Sequence, residues 1–252
     1  MNQALHLRGL WSLDALTSSD AQTLLSTAKA LKQAKGGSAP LKGKHVALLR
    51  EQPAHAAADV FTSAARGLGA QVTHIRPSAS RLSETDDLRD AARVLGRLYD
   101  AIECDGMGQA FMLELARMAA VPVCNVLLKE RHPTRMLADI MTMQEIGAEP
   151  FDTIMVRVVD DERAPWSAAW LQMATVTGIG VVAGNLHAKA VPAEQRALPV
   201  AFVCDPKGAR CADGQPALVA LRRDDPRAVS LAQRQVANHR FVVQALLTQI
   251  IN

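Results

Sequence analysis

Two apolar periodicities alternate along most of this chain. The short apolar run His45-Val46-Ala47-Leu48-Leu49 has the length and content of a buried parallel strand, and Gln71 to Ile75, Ala101-Ile102-Glu103-Cys104 and Val121-Pro122-Val123-Cys124-Asn125 are read as the second, third and fourth strands. The stretches between them carry apolar residues at helical spacing. Leu88, Ala92, Leu95 and Tyr99 fall on one helical face, and helices are predicted near Asp59 to Gly67, Ala110 to Ala119 and Arg135 to Ile146, the last with Met136, Leu137, Ile140 and Met141 inward. An earlier helix starts near Ser18-Ser19-Asp20 and ends at Gly36-Gly37-Ser38-Ala39-Pro40. Strands alternating with helices at these spacings imply a parallel sheet covered on both faces.

A second unit begins after Gly147-Ala148-Glu149-Pro150. Its expected elements are a strand over 153–159, a helix over 167–175, strands over 179–183 and 200–204, a loop over 187–197, and an amphipathic helix from about Arg227 to Ile250. The expected fold is α/β: two doubly wound parallel-sheet domains, 1–147 and 148–252, the second shortened. The glycines do not form GxGxxG, and Asp160-Asp161-Glu162 would repel a pyrophosphate, so a dinucleotide site is rejected.

Composition narrows the picture. The 252 residues are 49% apolar, enough for a sizeable core, and a net charge of +3 with dispersed basic residues and only nine aromatics argues against nucleic acid. No apolar run reaches membrane-spanning length and the first residues lack signal-peptide character, so the expected address is the cytoplasm. Cys104, Cys124, Cys204 and Cys211 show no metal-binding spacing and read as buried small hydrophobes; no metal or cofactor is implied.

The densest polar signal is His132-Pro133-Thr134-Arg135, directly before an apolar helix. Proline suits the first helical position, which leaves His132 at a helix N-terminus, where free N–H groups and the macrodipole favour anions and carbonyl oxygens. A turn between strand and helix is also where open α/β sheets bind ligands.

These and other residues together resemble the ornithine carbamoyltransferase family. The resemblance is carried by Asp90-Ala91-Ala92-Arg93-Val94-Leu95-Gly96-Arg97-Leu98-Tyr99-Asp100, Gly108-Gln109, Val121-Pro122-Val123, Asn125, His132-Pro133-Thr134, Leu137-Ala138-Asp139 and Met143-Gln144-Glu145. It runs collinearly over about residues 10–146; the second half is similar mainly around 156–183 and at Gln235-Val236-Ala237-Asn238, and is shorter than the family pattern between them. The resemblance implies two α/β domains around a cleft, a homotrimer in which each site borrows a neighbour's loop, and attack of the ornithine δ-amine on carbamoyl phosphate. Arginines and a helix N-terminus would hold the phosphate while donors polarise the carbonyl.

Several of the family's parts are replaced here. Its Ser-Thr-Arg-Thr-Arg phosphate motif falls on Ala54-His55-Ala56-Ala57-Ala58, a loss expected to cost several kcal/mol of ligand affinity. A further phosphate arginine corresponds to Asp105. In the loop donated by the neighbour Ser80 remains, but Arg81 and Thr85 replace a glutamine and a lysine, and His-Pro-x-Gln survives as His132-Pro133-Thr134-Arg135. The paired asparagines of the amine side fall near Ala164-Pro165, and Cys204 in Val203-Cys204-Asp205-Pro206 is the candidate for the family cysteine.

The candidate residues are therefore His132 and Arg135 for catalysis, and Ser80, Arg81, Gln109, Asn125 and Cys204 for binding. His132 either polarises a carbonyl or caps its helix. Arg131 and Arg135 either lie on a solvated surface or join Arg50 and Arg81 in a relocated anion site. Asp105 faces water or pairs with one of these arginines. The reading reached is an ornithine carbamoyltransferase-like protein without carbamoyl transfer, in a scaffold, binding or regulatory role. The alternative is a transferase with an altered acyl or anionic substrate and a rebuilt arginine site. The expected partners are copies of itself and a small anionic ligand, with neither nucleic acid nor membrane.

Overall fold

The computed structural model describes residues 12–34, 39–51, 56–77, 85–127, 131–147, 154–161, 163–184, 200–212, 216–222 and 229–251. A short 3-10 turn at Leu13–Ala15 precedes helix α1, Ser18–Gln33. Then follow β1 (His45–Leu49), α2 (Ala56–Gly67), β2 (Gln71–Ile75), α3 (Thr85–Leu98), β3 (Ala101–Cys104), α4 (Gln109–Ala119), β4 (Val123–Cys124) and α5 (Pro133–Gly147). The remaining described elements are β5 (Met155–Val158), α6 (Pro165–Thr177), β6 (Gly180–Ala183), β7 (Val200–Cys204), β8 (Leu218–Arg222), β9 (Val229–Ser230) and α7 (Ala232–Ile251). Packing divides them into two compact units, one of Thr27–Leu128 with Val243 onward, the other of Ser12–Ser26 with Lys129–Val242. Helix α5 thus groups with the second unit although the sequence reading placed it in the first.

The first unit holds a four-stranded parallel sheet in the order β2-β1-β3-β4. The chain moves from β1 to β2 on one side and then crosses back over β1 to reach β3, and right-handed crossovers put α2 on one face and α3 and α4 on the other. Ala47, Leu49, Ile102, Cys104 and Val123 pack with Leu88, Ala92 and Leu95 of α3 and Met112, Leu115 and Ala119 of α4. Because side chains alternate along a strand, Val46 and Leu48, both fully buried, face the opposite layer. Helices α3 and α4 approach so closely at Gly96 that a Cβ built there would lie 1.8 Å from the Ala119 carbonyl oxygen, so only glycine fits. β4 is shorter than the apolar run around it, since Pro122 has no N–H for the ladder, although its carbonyl accepts the Ile102 N–H at 2.9 Å.

The second unit's sheet has the order β6-β5-β7-β8-β9. β5 pairs in parallel with β6 and β7, whereas β7–β8 and β8–β9 are antiparallel. β8 and β9 extend the parallel part, and neither was read from the sequence; α7 correspondingly begins at Ala232 rather than near Arg227. The expected loop over 187–197 lies outside the described residues. Among the described residues no helix is long and apolar enough to cross a membrane.

Candidate functional site

In each sheet the strand order reverses beside the first strand, and ligands in open α/β sheets bind at the carboxyl ends of the strands flanking such a reversal. In the first unit those ends belong to β1 and β3. Leu49 pairs with Cys104, so the next residues, Arg50 and Asp105, stand side by side as the chain leaves the sheet. Their backbones stay in ladder register, with Arg50 N–H donating to Ile75 (3.0 Å) and Asp105 N–H to Leu49 (3.0 Å).

The side chains form a buried ion pair, Arg50 Nε donating to Asp105 Oδ2 at 2.5 Å, with the residues 5% and 9% exposed. Of the two expectations for Asp105, pairing with an arginine is the one found. Among the described residues, Arg50 Nη1 and Nη2 are buried without an acceptor. An arginine so placed has given up water for one carboxylate, which makes the pair expensive to break from either side.

Glu103, on β3 and fully buried, lies within reach of the same charges. Its carboxyl accepts the N–H groups of Val126 (3.2 Å) and Leu127 (3.0 Å), fixing the chain as it leaves β4. Burial pushes its pKa up to about 8 against the lowering pull of those two N–H donors; Asp105 pushes it further up and Arg50 pulls it down. Asn125 is buried just past β4, and Gln109 is exposed on the first turn of α4.

In the second unit the polar residues gather at the start of α5. Arg131 has a left-handed φ of +54°, a conformation that costs energy in a residue with a side chain. It turns the chain so that the His132 carbonyl accepts the N–H groups of Arg135 (3.0 Å) and Met136 (3.1 Å), with Pro133 opening the helix. His132 Nδ1 accepts the Thr134 N–H at 3.2 Å, so the imidazole does cap its own helix. The same Nδ1 lies 2.8 Å from Thr134 Oγ1, which lies 3.1 Å from His239 Nε2 on α7.

All three residues are buried, as is Arg135 at 4% exposure. Arg135 is therefore not on a solvated surface. Burial holds His239 neutral, its pKa well below that of an ordinary histidine, and the neighbouring Arg135 and His132 act in the same direction.

What sets His239 against Thr134 is a polar seam between α5 and α7. Gln235 Nε2 donates to Asp139 Oδ1 (2.7 Å) and to the Pro216 carbonyl (3.2 Å), while its Oε1 accepts the Leu218 N–H (2.8 Å). One turn on, Asn238 Nδ2 donates to Thr142 Oγ1 (3.0 Å) and Glu145 Oε2 (3.2 Å). With these partners in place the two helices have one register, and His239 has one position.

The other sequence-read residues are placed as follows. Cys204 ends β7 beside β5, where its carbonyl accepts the Val159 N–H at 2.9 Å; burial is the main cause raising its thiol pKa to about 12, which leaves no thiolate near neutral pH. Ser80 and Arg81 lie outside the described residues, as do Ala54 and His55. Among the described residues no group of three or more His, Cys, Asp or Glu could hold a metal ion. Sequence reading missed Glu103, Thr134 as a functional partner, and His239. A charged residue inside the run Ala101–Cys104 was a usable signal for Glu103; nothing local marked His239.

Comparison with known proteins fits this geometry. The family model for the aspartate/ornithine carbamoyltransferase carbamoyl-P binding domain matches residues 8–145. The chain is 38% identical over 180 residues to a catabolic ornithine carbamoyltransferase of Pseudomonas putida, covering 70% of this chain and 54% of that protein. It is 40% identical over 187 residues to that of Burkholderia mallei, covering 73% and 56%. The chain thus matches about half the length of these relatives. The fold is that of ornithine carbamoyltransferase from Thermus thermophilus (TM-score 0.70, 20% identity, 96% of this chain and 98% of that one). It is equally that of the Pyrococcus furiosus protein (TM-score 0.68, 20% identity, 96% and 97%). By the match over residues 8–145 and the sequence identity to these relatives, the chain belongs to the aspartate/ornithine carbamoyltransferase family.

Proposed function

We propose that this chain is an ornithine carbamoyltransferase-like protein that no longer transfers a carbamoyl group and serves as a cytoplasmic binding or scaffold protein, self-associated as a trimer. The observation that carries the reading is the buried Arg50–Asp105 pair at the ends of β1 and β3. By the resemblance, position 105 belongs to an arginine that grips the phosphate. A carboxylate there repels the same anion, and its charge is already committed to Arg50. The alanines at 54, 56 and 58 stand where further phosphate ligands would be. Electrostatic positioning is the largest catalytic contribution in such transfers, so these replacements act directly on turnover.

The test is citrulline formation from ornithine and carbamoyl phosphate by the purified full chain. The expected result is no rate above the uncatalysed one. Introducing Ala54→Ser, Ala56→Arg and Ala58→Arg together is expected to leave that result unchanged, because the amine-side asparagines are also replaced. Measurable turnover by either protein overturns the reading.

A second reading, a protein that acts on or binds a different acyl or anionic substrate, is favoured by the buried cluster at the α5 N-terminus. His132, Thr134 and His239 are joined by hydrogen bonds beside the buried Arg135. Acetyl phosphate and inorganic phosphate are the probes that distinguish it: micromolar binding of either favours this second reading over the first.

A further inference from the structure

The amino ends of the first unit's strands border a cavity of about 270 Å³. It lies at the other end of the sheet from Arg50 and Asp105, beside the residues that lead into β3 and β4. Three helices finish there. Gly96, Arg97 and Leu98 belong to the last turn of α3, Ala120 caps α4 with a left-handed φ of +57°, and Ile250 and Ile251 close α7. Their C-termini bring three negative dipole ends to one place.

Which carbonyls are left over follows from where the next N–H groups go. Continuing α3 would send the Asp100 N–H to the Gly96 carbonyl and the Ile102 N–H to that of Leu98. Instead the first donates to the His45 carbonyl (2.7 Å) and the second to that of Pro122 (2.9 Å) as β3 begins. The Gly96 and Leu98 carbonyls receive neither. Asp100 adds a carboxylate to the same lining. Burial raises its pKa, but the His45 N–H (2.8 Å) and Lys44 (3.1 Å) outweigh burial and hold it below the ordinary carboxylate value.

Arg97 lines the cavity too; it is exposed and makes no ion pair among the described residues. A simple cation entering the cavity would meet this guanidinium, and a simple anion would meet the helix ends and Asp100. A small molecule that carries both charges is matched by both sets of groups. We infer that the cavity is a second ligand site, for a small zwitterionic amino acid whose ammonium group donates to the Gly96 and Leu98 carbonyls and whose carboxylate is held by Arg97. The site is built from the first unit alone and depends on neither reading of function above.

The experiment uses Tyr99, the chain's one tyrosine, which lines the cavity. In the full chain labelled with 3-fluorotyrosine, its single ¹⁹F resonance reports on the site. The probe is L-serine. It is compared with ethanolamine, the same molecule without its carboxylate, and with 3-hydroxypropanoate, the same molecule without its ammonium group. L-serine is expected to move the resonance saturably, and each comparison compound to bind at least about tenfold more weakly for want of one charge-assisted contact.

Arg97→Gln, at an exposed position, is expected to weaken L-serine by at least about tenfold without weakening ethanolamine. Arg117→Gln removes the same charge from α4 outside the cavity lining and should change neither. A resonance that L-serine does not move, or an L-serine affinity that Arg97→Gln leaves unchanged, overturns the assignment. Ethanolamine or 3-hydroxypropanoate binding as tightly as L-serine overturns it as well, because the site would then read one charge and not two.

Discussion

Glu103→Gln separates charge from shape at the most buried carboxyl of the first unit. Glu103 accepts two backbone N–H groups, from Val126 and Leu127, yet burial is the larger effect and its pKa stands at about 8 against an ordinary 4.5. The folded protein thus holds a proton that the unfolded chain has released over the interval between those values. Stability from this group is complete below about pH 4.5 and is lost as the pH rises through about 8. Between about pH 6 and about pH 9 one such group removes about 2–3 kcal/mol.

Glutamine keeps the volume and one acceptor but sets an NH₂ against a backbone N–H, which costs about 1–3 kcal/mol. It has no proton to lose. Urea denaturation of both proteins, followed by circular dichroism at the two pH values, is expected to show Glu103→Gln less stable at the lower pH. The gap to wild type should shrink by about 2–3 kcal/mol at the higher pH, with other titrating groups cancelling in the comparison. A gap that does not change with pH refutes the reasoning, because Glu103 would then be ionised in the folded protein throughout.

Three further expectations follow from other contacts. Gly96→Ala forces a methyl group to within 1.8 Å of the Ala119 oxygen and should cost about 3 kcal/mol or more of unfolding free energy in urea denaturation, whereas Gly108→Ala, with open space around it, should stay within about 1 kcal/mol. Asp105→Ala strands the Arg50 guanidinium and should cost about 3–5 kcal/mol, while the double variant Arg50→Met with Asp105→Leu should return to within about 1 kcal/mol of wild type; an additive double variant contradicts the pair. His239 is held neutral, so its contribution is present above the ordinary histidine pKa of 6.5 and is lost as the pH falls. Relative to His239→Gln, wild type should lose stability as the pH falls from about 6.5 to about 5, and equal losses in both proteins would contradict a neutral His239.

The first unit was legible in the sequence for a physical reason. Its second strand in sheet order, β1, is buried from Val46 to Leu49 and appears as an apolar run, and β1, β2 and β3 span the residues expected of them, although β2 lies at the sheet edge with polar Gln71, Thr73 and His74 exposed. β8 and β9 were not legible, because an antiparallel extension needs no helix between strands, and an expectation of regular alternation passes over Leu218–Arg222. Of the two expectations for Arg135, the solvated surface fails because α5 is buried on nearly all sides, so the usual rule that a charged residue marks the outer face of a helix does not apply.

At the candidate site His132 was found from its neighbour Pro133, a local signal. Its link to His239 spans more than a hundred residues and depends on the Gln235 and Asn238 seam that aligns α7 with α5. No local pattern encodes such a contact. Asp105 lay between these cases: the resemblance marked its position as one that had changed sign, and only the register of β1 with β3 shows that Arg50 stands beside it.

The most direct test of the account is a calorimetric titration of the full chain with carbamoyl phosphate. With Asp105 and Arg50 committed to each other, the account predicts a Kd of about 1 mM or weaker, or no heat of binding at all. A Kd of about 1 μM would show that the phosphate side still holds its ligand, and would contradict the claim that this member of the family has left carbamoyl transfer behind.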